Sequence, residues 1–204
     1  MFHSRFAVPV VLFVFSAGCQ DAYTAPYFAP ELSTSPKSET VCSDLKTTEI
    51  LYNDEWVPAF RFDFDAFSYP GAYPDAIVGS QWIGPSPTAS ADAPAGTYRF
   101  RTTFKLPQKE SKIIGPSLAG AVHADNSATI TLNGNTIFQH QEPGIGENYS
   151  DPAQTFAATS GFVGGINTVA FDLWNDPYDG PNPAALDFCF TVTYTKHDTG
   201  DEGD

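Results

Sequence analysis

Apolar and polar positions alternate with a period of two along much of this chain. In Tyr98-Arg99-Phe100-Arg101-Thr102-Thr103-Phe104-Lys105-Leu106, the residues Tyr98, Phe100, Phe104 and Leu106 share one face, and Arg99, Arg101, Thr103 and Lys105 share the other. That is the pattern of a half-buried strand, apolar side in and solvated side out. Ala128-Thr129-Ile130-Thr131-Leu132 repeats it and ends at Asn133-Gly134. Asn-Gly supplies the positive φ angles of a tight hairpin turn, and Ile137-Phe138 begins the return strand. Val169, Phe171 and Leu173 form another inward row. Phe188, Phe190, Val192 and Tyr194 form the last, which sets Cys189 on the opposite face. The chain's 17 prolines and 16 glycines fall between these runs and argue against long helices. The pattern predicts an all-β fold, an antiparallel β-sandwich.

The flanks read differently. Residues 20–40 are rich in Ala, Pro, Ser and Thr with no apolar period, so they are expected to form a flexible or part-extended linker. Residues 198–204 form a polar, acidic tail that is expected to be disordered. The sandwich is assigned to residues 41–197, long enough for one domain with its own core.

Residues 1–19 have the layout of an export signal. Arg5 gives a short positive start, followed by an apolar run of about ten residues, well short of the roughly 20 a helix needs to cross a bilayer. Ser16-Ala17-Gly18-Cys19 then resembles the lipobox of bacterial lipoproteins, which implies a lipid on Cys19; Ser16 departs from the commoner Leu. Gln20 follows, where lipoproteins kept in the inner membrane often carry Asp, and so outer-membrane placement is expected. The alternative is an ordinary cleaved signal with an incidental cysteine.

Charge narrows the partners. Asp and Glu number 24 against 10 Lys and Arg, a formal net charge of −14, and no basic run occurs. Such a surface repels nucleic acid and anionic lipid, so contact with a membrane is expected through the lipid anchor only. Cys42 and Cys189 lie near opposite ends of the folded region, in a compartment where disulfides survive. If the first and last strands are neighbours, a bridge closes a loop of about 147 residues, for which chain entropy gives an upper figure of about 4–5 kcal/mol. Two unpaired thiols are the alternative. Neither cysteine has zinc or CxxC spacing.

Several short motifs follow one another in a particular order. Ser80-Gln81-Trp82-Ile83 precedes the Tyr98–Leu106 run. Ala124-Asp125-Asn126 leads to Leu132-Asn133-Gly134, then Gly165-Ile166-Asn167-Thr168-Val169, a strand ending at Asn175, and Pro183-Ala184-Ala185-Leu186. Over roughly residues 50–195 this resembles the galactose-binding-domain-like jelly rolls of secreted bacterial proteins, with Ala185 where the family often has Gly. The resemblance implies binding at loops or on one face, with carbohydrate as the usual ligand class. Asp125, Asn126, Gly165, Asn167 and Asn175 are read as scaffold residues at turns and strand ends, where short polar side chains satisfy backbone groups.

A sugar site needs a flat aromatic ring beside amides or carboxylates. Trp56, Trp82 and Trp174 are the tryptophans available. Trp174 falls on the face opposite Phe171 and Leu173, so Trp174, Asp176, Tyr178 and Asp179 are the candidate ligand-binding residues; Trp82 is read as core. The Asp-rich loops admit a structural calcium ion, although Pro177 occupies a ligand position of the EF-hand pattern in residues 175–180. No metal ligand set, cofactor or catalytic residue is assigned. His123, Asp125 and His140 are read as surface groups. The chain has no G-x-S-x-G elbow, H-E-x-x-H pair or phosphate loop. Asp63 with Asp65 reads as the solvated side of an alternating strand, and Glu142 with Glu147 is the other carboxylate pair. The expectation is a lipid-anchored, non-enzymatic carbohydrate-binding domain. A structural envelope or matrix protein, and a glycan-processing enzyme, are the alternatives.

Overall fold

Strand pairing explains why so much of this sequence alternates. The structure, a computed structural model, describes residues 34–66, 73–109, 112–140, 148–150 and 152–197. Residues 1–33 lie outside the described residues. The leader with Cys19, most of the expected linker, Glu142, Glu147 and the acidic tail fall outside them. Among the described residues, no helix is long and apolar enough to cross a membrane.

Among the described residues, twelve strands form two antiparallel sheets of six. In chain order, the first sheet contains β1 (Thr34–Cys42), β4 (Phe60–Arg61), β5 (Ile83–Gly84), β7 (Ile113–Asp125), β10 (Gln154–Ala158) and β12 (Ala185–His197). Across it the order is β10-β7-β12-β5-β4, with β1 also paired to β12. The second contains β2 (Glu49–Tyr52), β3 (Glu55–Pro58), β6 (Gly96–Leu106), β8 (Ser127–Leu132), β9 (Asn135–Gln139) and β11 (Gly165–Asn175). Its order is β3-β2-β6-β11-β8-β9. The molecule is an all-β antiparallel sandwich.

The inner faces interlock through the rows that alternation picks out. Phe100, Val169, Phe171, Leu173 and Ile130 from one sheet meet Leu118, Val122, Phe188, Phe190 and Val192 from the other, all essentially buried. Phe171 stacks on Phe188 with ring centroids 4.1 Å apart, and Phe104 meets Phe190 edge-on at 6.1 Å. Fully burying one such side chain stabilises by about 1.5–3 kcal/mol, so these rows dominate the fold. Gly120 sits in the inward row of β7 because no larger residue fits. A Cβ there would lie 2.5 Å from Phe190 Cβ, 2.6 Å from the Cys189 carbonyl and 2.8 Å from the Phe156 ring.

Turns and strand ends are held by short polar side chains. Asn133 (φ 49°) and Gly134 (φ 83°) make the expected hairpin between β8 and β9. The Asn133 side chain also donates to Asn167 Oδ1 and accepts from the Thr168 N–H. Buried Asn167 accepts from the Val163 N–H and donates to the Val163 carbonyl, closing the turn into β11. Asn175 donates to the Ala93 and Pro94 carbonyls beneath the strand end. A second hairpin, β2 to β3, turns at Asn53 and Asp54, both with positive φ.

Cys42 and Cys189 face each other across β1 and β12 and are joined by a disulfide, as the neighbouring-strand reading requires. Two boundaries differ from expectation. The linker expected to reach residue 40 gives way at Thr34, where β1 begins; its polar side chains are mostly exposed, and pairing with β12 alone makes it a strand. Nor do Phe62 to Asp65 form an alternating strand: β4 stops at Arg61 and residues 64–66 make one 3-10 turn. Asp63 Oδ1 there accepts from the Asp65 N–H, 3.1 Å away, a local bond that competes with strand pairing.

Gly120→Ala is expected to lower unfolding free energy by about 1–3 kcal/mol, the usual cost of overpacking a tight core. A urea denaturation midpoint equal to the parent's would show that the contact is not tight.

Candidate functional site

Strand β11 carries its even-numbered residues outward, so Asp172 and Trp174 project from the outer face of the second sheet beside Thr97 and Arg99 of β6 and Ser127 and Thr129 of β8. Here they border a cleft of about 270 Å³. Trp174 forms one wall. The others are hydroxyls of Thr97, Ser127 and Thr129, the Gln139 amide, the His140 ring and the Asp172 carboxylate. Trp174 is half-buried, and its indole N–H donates to Asp176 Oδ1 at 2.5 Å. The Asp176 N–H in turn donates to Asn126 Oδ1, and the Asp176 carbonyl accepts from Asn182. Asp176 therefore orients the tryptophan.

Tyr178 and Asp179 are exposed, Tyr178 by 65%, and the Tyr178 ring lies against Gly180. Of the four sequence candidates, the structure ties Trp174 to Asp176 and leaves Tyr178 and Asp179 on the outer part of the loop. Asp172 lines the cleft and accepts two bonds from Arg99, at 2.6 and 2.7 Å. The hydrogen bonds and charge of Asp172 raise the Arg99 pKa above its ordinary value. Thr129 and Asp172 were legible as outward positions, but nothing in the sequence placed them, or Gln139, around Trp174.

His140 is buried, not a surface group. Its Nδ1 lies 2.7 Å from the Ala128 N–H, from which it accepts in one tautomer, and 3.1 Å from the Ala128 carbonyl, to which it donates in the other. Burial lowers its pKa below the usual 6.5, opposed by the backbone bond at Ala128.

A second polar cluster lies on the outer side of the first sheet, under the loop of residues 73–82. His123 and Asp125 are likewise buried, contrary to expectation, because this loop covers the end of β7. Asp187 sits at the centre. It accepts from Ser80 Oγ, from Ser43 Oγ at 3.3 Å and from the Ile77 N–H at 2.9 Å, and His123 Nδ1 lies 3.2 Å away. Trp82 stacks on His123 and meets Tyr73 edge-on, which makes it core as expected. Tyr73 donates to Asp125; burial, then the Asp125 charge, pushes its pKa far above the phenol range, so it stays a donor. Beside the cluster is a cavity of about 320 Å³ bordered by Arg61, Phe64, Tyr73 and Trp82. In a nucleophile–base–acid relay the serine hydroxyl bonds the imidazole; Ser43 and Ser80 here donate to the Asp187 carboxylate. Among the described residues, no three or more His, Cys, Asp or Glu side chains converge as a metal cluster.

No protein-family model and no curated protein matches the sequence. Among solved structures, the chain is similar to a family 35 carbohydrate binding module from Clostridium thermocellum, with 12% identity over 75% of this chain and 97% of that one and a TM-score of 0.41. It is also similar to a Streptomyces avermitilis α-L-rhamnosidase complexed with L-rhamnose, with 20% identity over 72% and 12% of the two chains and a TM-score of 0.42. An uncultured Clostridium sp. β-glucuronidase gives 10%, 81%, 30% and 0.43 for the same four quantities. The chain thus spans a minor part of the two enzymes.

The depressed His140 pKa has a signed consequence. Below the unfolded value of 6.5 the unfolded chain takes up a proton that the native ring resists, so stability is lost as pH falls through that value. The stability advantage of the parent over His140→Asn is therefore expected to shrink between pH 7.5 and pH 5. A difference independent of pH in urea titrations would contradict the buried neutral ring.

Proposed function

We propose that this chain is a carbohydrate-binding β-sandwich, held at a bacterial outer membrane by a lipid on Cys19, and that it acts by binding and not by catalysis. What carries the binding reading is the cleft at Trp174. A half-buried indole, held by Asp176, stands among hydroxyls, an amide and a carboxylate on a solvent-facing sheet. An aromatic wall suits the C–H faces of a sugar ring, and the surrounding groups suit its hydroxyls.

The same cleft argues against glycoside cleavage. That chemistry ordinarily needs two carboxylates flanking the scissile bond. Asp172 is the one carboxylate bordering the cleft among the described residues, and it is engaged by Arg99. The net charge of −14 supports a partner other than nucleic acid. Anchoring rests on the short apolar leader ending at Ser16-Ala17-Gly18-Cys19, and outer-membrane placement on Gln20.

In a polysaccharide pull-down followed by titration, Trp174→Ala is expected to weaken glycan binding about tenfold or more. Binding unchanged in a folded variant would remove the cleft as the site. Cys19→Ser is expected to move the protein from the membrane to the soluble fraction, and unaltered partitioning would overturn the anchor.

A further inference from the structure

The cleft is one end of a longer feature. Register places Thr129 of β8 opposite both Asp172 of β11 and Gln139 of β9, and Asp172 opposite Arg99 of β6. On the other side, Glu49 pairs with Arg101, so the same register carries Leu51 into line with Arg99, and Leu51 pairs with Trp56. One lateral row, Gln139-Thr129-Asp172-Arg99-Leu51-Trp56, thus crosses all six strands of the outer face. Trp174 stands one step further along β11. At about 4.8 Å per strand and about 3.4 Å per residue, the two tryptophans are roughly 16 Å apart.

The charges along this row are matched. Arg99 is held by Asp172, and Arg101 by Glu49 at 2.7 Å, while the Arg101 guanidinium lies 3.9 Å over the Trp56 ring. Leu51 is 39% exposed between them. Carboxylate–guanidinium pairs offer spare acceptors and donors to hydroxyls but no unpaired cation to an anion. The overall charge of −14 adds repulsion against an acidic polymer.

Resting on the carbohydrate reading, we propose that the site takes an extended, uncharged polysaccharide. The chain lies across the strands of the second sheet, with one sugar at Trp174 and another, several units along, at Leu51 and Trp56. An aromatic anchor at each end and paired charges between them suit a run of linked neutral rings better than a single terminal sugar.

The test is titration of the full-length chain with di-, tetra- and hexasaccharides of neutral hexoses and pentoses, with polygalacturonate as competitor. Affinity is expected to rise about tenfold from di- to hexasaccharide. Trp56→Ala removes that rise, Trp56→Phe keeps most of it, and polygalacturonate does not compete. Length-independent affinity, an unchanged rise in Trp56→Ala, or tighter binding of the acidic polymer would overturn the extended track while leaving the Trp174 cleft standing. Saccharide binding absent altogether, or insensitive to Trp174→Ala, would remove the cleft reading itself, and the track with it.

Discussion

The stacking of Phe171 on Phe188, between the middle strands of two sheets, is the contact on which the rest of this molecule depends. It fixes which residues of β11 and β12 point inward, and so by the two-residue period of a strand which point out. Asp172 and Trp174 are external because Phe171 and Leu173 are internal. Slipping one residue in register would bury the charged row and expose the aromatic one. The candidate site is therefore positioned by the core, with little help from loops.

The two outer faces use their polar groups differently. On the second sheet, ion pairs and hydroxyls stay at the surface around tryptophans. On the first, a loop folds over the ends of β7 and β12 and encloses His123, Asp125 and Asp187. Burial there is tolerated because Asp187 accepts from Ser43, Ser80 and the Ile77 N–H, and Tyr73 donates to Asp125. Enclosed carboxylates of this kind staple the loop to the sheet; those at the surface remain available to a ligand.

Much of the sandwich was legible in the sequence because its central strands have one wet and one dry side. The rows through Phe100, Ile130, Val169 and Phe188 and the Asn133-Gly134 turn followed from alternation and spacing; the Cys42–Cys189 bridge was expected only on condition that the first and last strands were neighbours, which the pairing of β1 with β12 supplies. Strand β1 did not, since an edge segment with Pro36 and mostly exposed Ser, Thr and Lys carries no apolar signal. The Asn53-Asp54 hairpin was hidden for a related reason: it lacks the Asn-Gly signature. Trp174 was singled out correctly as an outward ring. Its partners across strands, Thr97 and Ser127, come from distant parts of the chain, and only pairing reveals them. The burial of His123, Asp125 and His140 was equally invisible, because alternation reports which side of a strand a residue faces and not what lies over it.

The covalent link between the first and last strands has a mechanical consequence. A pull applied to the segment before Cys42 and the segment after Cys189 passes through the sulfur atoms, and the 147-residue span they enclose bears none of it. Tension can peel apart the remainder of β1 and β12, residues 34–41 and 190–197, and then stops.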